Sequence, residues 1–233
     1  MEEAIKVTDL VKRKGNNEIL HHVNFEAAKG EITGFLGANG AGKTTTMKCI
    51  LNLCSYKGKI EINGKDALKE HQKVSCMVSG LIEEPCFYPN MTGMENIKLN
   101  MMYYGKISQS KLDKVISEIH LDDFIHRKVK SYSLGMKQRL GIALALINEP
   151  EILLLDEPMN GLDPGGIKDL RELLIKLAHE QGKAVFVSSH ILSEMQMLCD
   201  RVIFIRKGSV VGNEPVGDNL EEQYMVMMGE KEC

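Results

Sequence analysis

The sequence predicts an α/β fold, with a parallel central sheet, an antiparallel β subdomain at the N-terminal end and an inserted helical subdomain. Three observations carry this. Glu151 to Asp156 and Ala184 to Ser188 are short, continuously apolar runs, as strands buried on both faces of a parallel sheet require. A strand-like run, Glu31 to Leu36, passes directly into the glycine-rich stretch Gly37 to Gly42 and then into a helix-like segment. Strand-like and helix-like segments alternate through the second half, the order that builds a parallel sheet.

The elements follow in order. Ile5 to Lys12 and Ile19 to Ala27 read as paired extended segments, the second with Val23, Phe25 and Ala27 on one face. His21 and His22 have no ligand set around them and fit a strand edge. Lys43 to Leu53 reads as a helix. Ile60 to Ile62 followed by Asn63-Gly64 signals a hairpin, because Asn-Gly accepts the positive φ of a tight turn. From about residue 84 to 148 the pattern is helical. There Ser110 and Asp113 resemble a capping box before Leu112, Val115, Ile116 and Ile119. Asp163 and Pro164 should start an amphipathic helix bearing Leu170, Leu173, Leu174, Leu177 and Ala178, which stops near Gly182. Val202 to Val211, turning at Lys207-Gly208, reads as a second hairpin. The stretch 213–233 is polar and methionine-bearing, with no assigned role. Residues 1–233 are expected to form one domain.

Composition limits the function classes. The chain has 233 residues, 43% of them hydrophobic, enough for a sizeable core. Its net charge of −3 does not point to a nucleic-acid partner. Its longest apolar stretch, about Ile142 to Ile147, falls far short of the roughly 20 residues a membrane span needs. The N-terminus lacks a basic region followed by an apolar one, so a cytoplasmic location is expected. Cys49, Cys54, Cys76, Cys86, Cys199 and Cys233 include no C-x-x-C pair and read as reduced thiols.

The segment Gly37-Ala38-Asn39-Gly40-Ala41-Gly42-Lys43-Thr44, followed by Thr45, satisfies G-x-x-x-x-G-K-[ST] between a predicted strand and a predicted helix. This is a P-loop: its backbone N–H groups and the helix N-terminus cradle phosphate oxygens. Lys43 would reach the β- and γ-phosphates and the Thr44 hydroxyl would ligate Mg²⁺. Asp156 and Glu157 end a buried strand at its C-terminal edge, where α/β sheets place ligands. Asp156 can hold Mg²⁺, and Glu157 can polarise a water for attack on the γ-phosphate. Without a P-loop the pair would read as an acidic helix cap.

The second half adds Ser133-Leu134-Gly135-Met136-Lys137-Gln-Arg-Leu140, then Ile152-Leu-Leu-Leu-Asp156-Glu157-Pro158, then Asn160-Gly-Leu-Asp163, then His190. In this order and spacing, over residues 4 to about 212, the chain resembles the ATP-binding subunits of ABC transporters. The resemblance implies an ABC-type P-loop NTPase fold and ATP with Mg²⁺ as ligands. It also implies two partners: a second ATP-binding subunit, identical or a close paralogue, and separate transmembrane permease subunits. Ser133, Leu134, Gly135 and Met136 then form the signature loop that addresses the γ-phosphate held by the other subunit. His190 matches the switch histidine. Asp163 matches the D-loop aspartate, although a simple helix cap explains it nearly as well.

Two positions depart from that family's pattern. The Q-loop glutamine aligns with Glu83, with Glu84 the alternative, replacing a neutral Mg²⁺ ligand by a carboxylate that binds metal more strongly and repels phosphate. The aromatic that stacks on adenine aligns with Lys14, which cannot π-stack, so adenine would rest on an aliphatic stem and GTP could compete. Asn63-Gly-Lys-Asp66 has the wrong order for a guanine-reading motif.

The acidic Q-loop, the flank Ile82 to Ile97 and the signature segment look most like ATPases of bacitracin and lantibiotic self-protection transporters. That implies a bacterial protein on the cytoplasmic face of the membrane. The rivals are an ABC ATPase for another cargo, a soluble ABC ATPase acting on DNA or ribosomes, and a catalytically quiet binding module. Neither a second such domain nor sustained heptads support the soluble enzyme, and Lys43, Asp156, Glu157 and His190 argue against the quiet module.

Overall fold

The computed structural model describes residues 2–83, 85–104 and 108–229, without the side chains of Tyr103 and Tyr104. Two sheets organise it. The first is antiparallel and four-stranded, in the order β2-β1-β4-β5, from β1 (Glu3–Lys14), β2 (Asn17–Ala28), β4 (Lys57–Ile62) and β5 (Lys65–Asp66). Both opening strands run longer than their apolar cores suggest, because their polar ends pair across the ladder, as in Arg13 opposite Glu18. The second sheet is six-stranded, in the order β10-β9-β3-β8-β7-β6. Its strands are β3 (Ile32–Leu36), β6 (Val78–Leu81), β7 (Ile152–Asp156), β8 (Ala184–Ser189), β9 (Arg201–Arg206) and β10 (Ser209–Pro215). All run parallel except β10, which pairs antiparallel with β9 through the Lys207-Gly208 turn.

The continuously apolar runs behave as expected: every residue of β3, β7 and β8 is buried. One core lies between the two sheets, where Phe25, Phe35 and Phe186 meet with ring centroids 5.3–5.8 Å apart. The other covers the opposite face of the parallel sheet, where Leu153, Leu155, Val185 and Val187 pack with Leu140, Leu174 and Met195. Helix α1 (Lys43–Ile50) follows the glycine loop, and short α2 (His71–Met77) leads into β6.

Between β6 and β7 the chain forms α3 (Gly93–Tyr104), α4 (Gln109–Glu118) and α5 (Leu134–Leu146), separated by turns rather than continuous helix. The cap of α4 is Ser108, not Ser110: its side chain accepts from the Lys111 N–H. The sequence pattern placed the cap two residues late because both serines precede the apolar stripe. After β7, α6 (Pro164–Ile175) runs into a wider turn to Glu180 and ends before Gly182, and α7 (Leu192–Leu198) follows β8.

Two elements were not legible as such. Val78–Leu81 is only four residues long, yet it forms an edge strand beside β7. The region after Asn213 is not merely polar tail. It finishes β10 and forms α8 (Leu220–Met228), capped by Asn219 and packed on the sheet through Tyr224 against Phe204. Residues 230–233, with Cys233, lie outside the described residues, as does Glu84.

Candidate nucleotide-binding site

The site forms at the C-terminal edge of the parallel sheet. β3 delivers the glycine loop, neighbouring β8 ends at Ser188 and Ser189, and β7 beyond it ends at Asp156. Two glycines are compelled by geometry. A Cβ on Gly37 would sit 2.3 Å from the Ile205 carbonyl oxygen, so the loop packs directly on β9. Gly42, at φ 113, turns the chain into α1 where a side chain would be strained and would strike Leu20. The loop is braced from below: Gly208 N–H donates to the Ala41 carbonyl at 2.9 Å, and Gly208 in turn accepts from His21 N–H at 2.8 Å.

Around the loop lies an open cleft of about 390 Å³ lined by Lys14, Ile19, Ala38, Asn39, Gly40, Gly42, Lys43, Thr44, Thr45 and Glu157. Lys14, the residue that the family resemblance aligns with the adenine-stacking position, lines this cleft. Ile19, which sequence reasoning passed over, supplies an apolar surface next to it.

The polar groups form one connected network. Lys43, only 6% exposed, donates to the Gly37 carbonyl at 2.7 Å and lies 3.6 Å from the Glu157 carboxylate. Thr44 Oγ1 donates to Asp156 Oδ2 at 2.7 Å. Ser188, opposite Asp156 in the parallel register, donates to Asp156 Oδ1 and accepts from the Glu157 N–H at 3.0 Å. His190 Nδ1 lies 2.8 Å from Glu157 Oε2. Glu157 adopts φ 49, a left-handed backbone that a non-glycine residue holds only where its surroundings fix it. Here the fixing groups are Ser188 and His190. Ser188 was missed in the sequence, where the available signal was a small polar residue at the end of an otherwise apolar strand. Such a buried hydroxyl requires a partner.

Thr44 and Asp156 present hard oxygen donors side by side at the helix N-terminus, the donor type Mg²⁺ takes, since it binds through one or two protein ligands plus phosphate and water. The residues present therefore fit that ion. Glu83 is engaged differently: its carboxylate pairs with Lys48 on α1 at 2.7 Å and its backbone sits at φ 62.

Ser133 caps α5, its hydroxyl accepting from the Met136 N–H at 3.2 Å. Leu134 is nearly half exposed, and a Cβ on Gly135 would lie 2.7 Å from the Gly161 carbonyl, so the signature segment packs against the loop before α6. Among the described residues lining the phosphate cleft, none comes from 133–136. Asp163 caps α6, accepting from Gly166 N–H at 3.3 Å, which is the simple capping role weighed for it above.

Fold and site together define a P-loop protein that binds a nucleoside triphosphate. Comparison with known families sharpens this: the ABC transporter family model matches residues 20–160, and the chain belongs to that family, as an ATP-binding subunit. The bacitracin transport ATP-binding protein BcrA of Bacillus licheniformis is 42% identical over 224 residues, 96% of this chain and 73% of its own length. The lantibiotic transport ATP-binding protein SrtF of Streptococcus pyogenes is 39% identical over 223 residues, 94% of this chain and 95% of its own. Among solved structures, the ATP-binding subunit of an ABC transporter superposes with a TM-score of 0.87 at 28% identity, covering 97% of this chain and 99% of that one. A dimeric ATP-binding cassette in a post-hydrolysis state with ADP and Pi superposes with a TM-score of 0.83 at 26% identity, covering 92% of this chain and 100% of that one. Among the described residues no helix is long and apolar enough to cross a membrane.

Proposed function

We propose that this chain hydrolyses MgATP as the motor of an exporter that removes a bacitracin-like or lantibiotic peptide from the cell membrane. The observation that carries the chemistry is the network from Thr44 through Asp156 and Ser188 to Glu157 and His190, closed by Lys43. The loop amides and Lys43 bind and orient the β- and γ-phosphates. Thr44 and Asp156 would hold Mg²⁺, and Glu83, paired here with Lys48, is the further carboxylate that the family resemblance assigns to the metal. When bound, Mg²⁺ neutralises charge on the phosphate oxygens. Glu157 accepts a proton from the attacking water, and His190, hydrogen-bonded to Glu157, orients that carboxylate and contacts the γ-phosphate. The signature loop Ser133–Met136, being outside the cleft of its own chain, serves the nucleotide of a second subunit, so two chains close around two ATP molecules.

The permease subunits dock on the region from Phe87 to Asn100. Tyr88, a large side chain exposed within it, and Met102, exposed two residues beyond its end, support that surface. The chain works at the cytoplasmic face of the membrane. The peptide cargo rests on the resemblance to BcrA and SrtF. Its test is growth of the native host in bacitracin and in lanthionine peptides, comparing wild type with an equally expressed Glu157→Gln mutant. Selective sensitisation is expected. Unchanged resistance to every peptide refutes the cargo and leaves the ATPase standing.

A further inference from the structure

Cys49 and Cys54 carry no sequence signature of a pair, yet their Sγ atoms lie 3.5 Å apart. The reversal at the end of α1 brings them together. Asn52 adopts φ 58, its N–H donates to the Cys49 carbonyl at 3.0 Å, and Leu53 N–H reaches back to the Lys48 carbonyl at 2.8 Å. This double bond pattern around a left-handed residue is a Schellman motif, and it folds residue 54 back over the last turn of the helix.

The two thiols differ in the way a redox pair needs. Cys49 is fully buried, whereas Cys54 is only partly so. Burial, and then the neighbouring Cys54, push the Cys49 thiol well above its ordinary range, so it does not start an exchange. Lys12 lies near enough to favour the Cys49 thiolate and donates to the Ser55 carbonyl at 2.6 Å, which places a cation beside the pair. Tyr56 presents a buried hydroxyl without a hydrogen-bond partner in the same neighbourhood.

We propose that Cys49 and Cys54 form a reversible dithiol–disulfide site on the helix that carries the P-loop, oxidised by small-molecule disulfides of the glutathione type. Cys54 thiolate attacks one sulfur of the small disulfide. That S–S bond breaks, and one small thiolate leaves and takes up a proton. The Cys49 sulfur then attacks Cys54 Sγ, the mixed S–S bond breaks, and the departing small thiolate takes up the Cys49 proton and leaves as the second small thiol. Two electrons pass from the cysteine pair to the small disulfide, and the product is an intrachain disulfide with two small thiols. The sulfurs need to close by only about 1.5 Å to reach bonding distance. Oxidised, the link ties α1 to the lead-in of β4, and a dithiol reductant reopens it.

The test is peptide mapping of the full chain after treatment with glutathione disulfide, with alkylation of remaining thiols. The expected wild-type result is a Cys49–Cys54 cross-link that dithiothreitol reverses, while the exposed Cys76 serves as the internal reference thiol. In Cys49→Ala, glutathione should remain attached at Cys54. In Cys54→Ser, Cys49 should stay unmodified in the native protein and react only after unfolding. Because Cys54 is partly exposed, Cys54→Ser reports even if the buried substitution impairs folding. Wild-type protein that keeps glutathione on Cys54, or alkylates Cys49 and Cys54 no differently after oxidation, would overturn the proposal.

Discussion

Replacing Ser188 by alanine tests whether the network at the strand ends holds the site together. The Ser188 side chain is fully buried, donates to Asp156 Oδ1 and accepts from the Glu157 N–H. Hydrogen bonds to charged groups contribute about 1.5–3 kcal/mol. Asp156 would keep the Thr44 hydroxyl at 2.7 Å on its other oxygen, and the Glu157 N–H would keep the Ser188 carbonyl at 3.2 Å. The lower part of that range therefore applies, about 1.5–2 kcal/mol, which for a chain of this size lowers Tm by about 3–8 °C. If the same energy holds Glu157 in its left-handed turn, kcat for ATP falls by about 10- to 30-fold. Thermal melts followed by circular dichroism and phosphate release at saturating MgATP give both numbers. A Ser188→Ala protein that melts lower but turns over at the wild-type rate would refute the positioning role. An unchanged Tm would refute the energetic argument itself.

Three further outcomes are expected. Gly37→Ala, whose new Cβ would press on the Ile205 carbonyl at 2.3 Å, should weaken ATP binding at least about tenfold in a displacement assay; near-normal affinity would mean that the loop is not held against β9. Lys14→Tyr restores an aromatic in the cleft and should tighten ATP binding by about 2- to 10-fold, and no change would place the base away from this side chain. His22 pairs with Asp9, which holds the imidazole above its ordinary value of 6.5. A raised folded-state value means that this stabilisation is complete below the unfolded pKa and is lost as pH rises through the folded one. The stability gap between wild type and His22→Asn should therefore shrink from about pH 6 to about pH 8, and a constant gap would contradict it.

What the sequence disclosed follows from how local each signal is. The glycine loop, the buried strands ending at Asp156 and Ser188, and the hairpin at Lys207-Gly208 are written in consecutive residues. They form the central sheet and the cleft around Lys43 and Glu157. The edge strand Val78–Leu81 is too short to show a period of its own and is a strand because β7 offers it a partner. Helix α8 carries Leu220, Tyr224, Met225, Val226, Met227 and Met228, and the inward ones among them become identifiable only against the sheet, as Tyr224 does against Phe204 and Met227 against Gly212. Ser188 and the Cys49–Cys54 pair depend on strand register and on a helix reversal, neither of which appears as a residue pattern. Glu83 shows a different limit: alignment places it at the metal side, while the fold gives its carboxylate to Lys48.

The central claim is that Glu157 activates water at this P-loop. Phosphate release by Glu157→Gln, measured beside its ATP affinity, tests it most directly. The account predicts near-wild-type binding with turnover reduced by about 10²- to 10⁴-fold, the range for loss of a general base. Turnover within a few-fold of wild type, with binding intact, would contradict it.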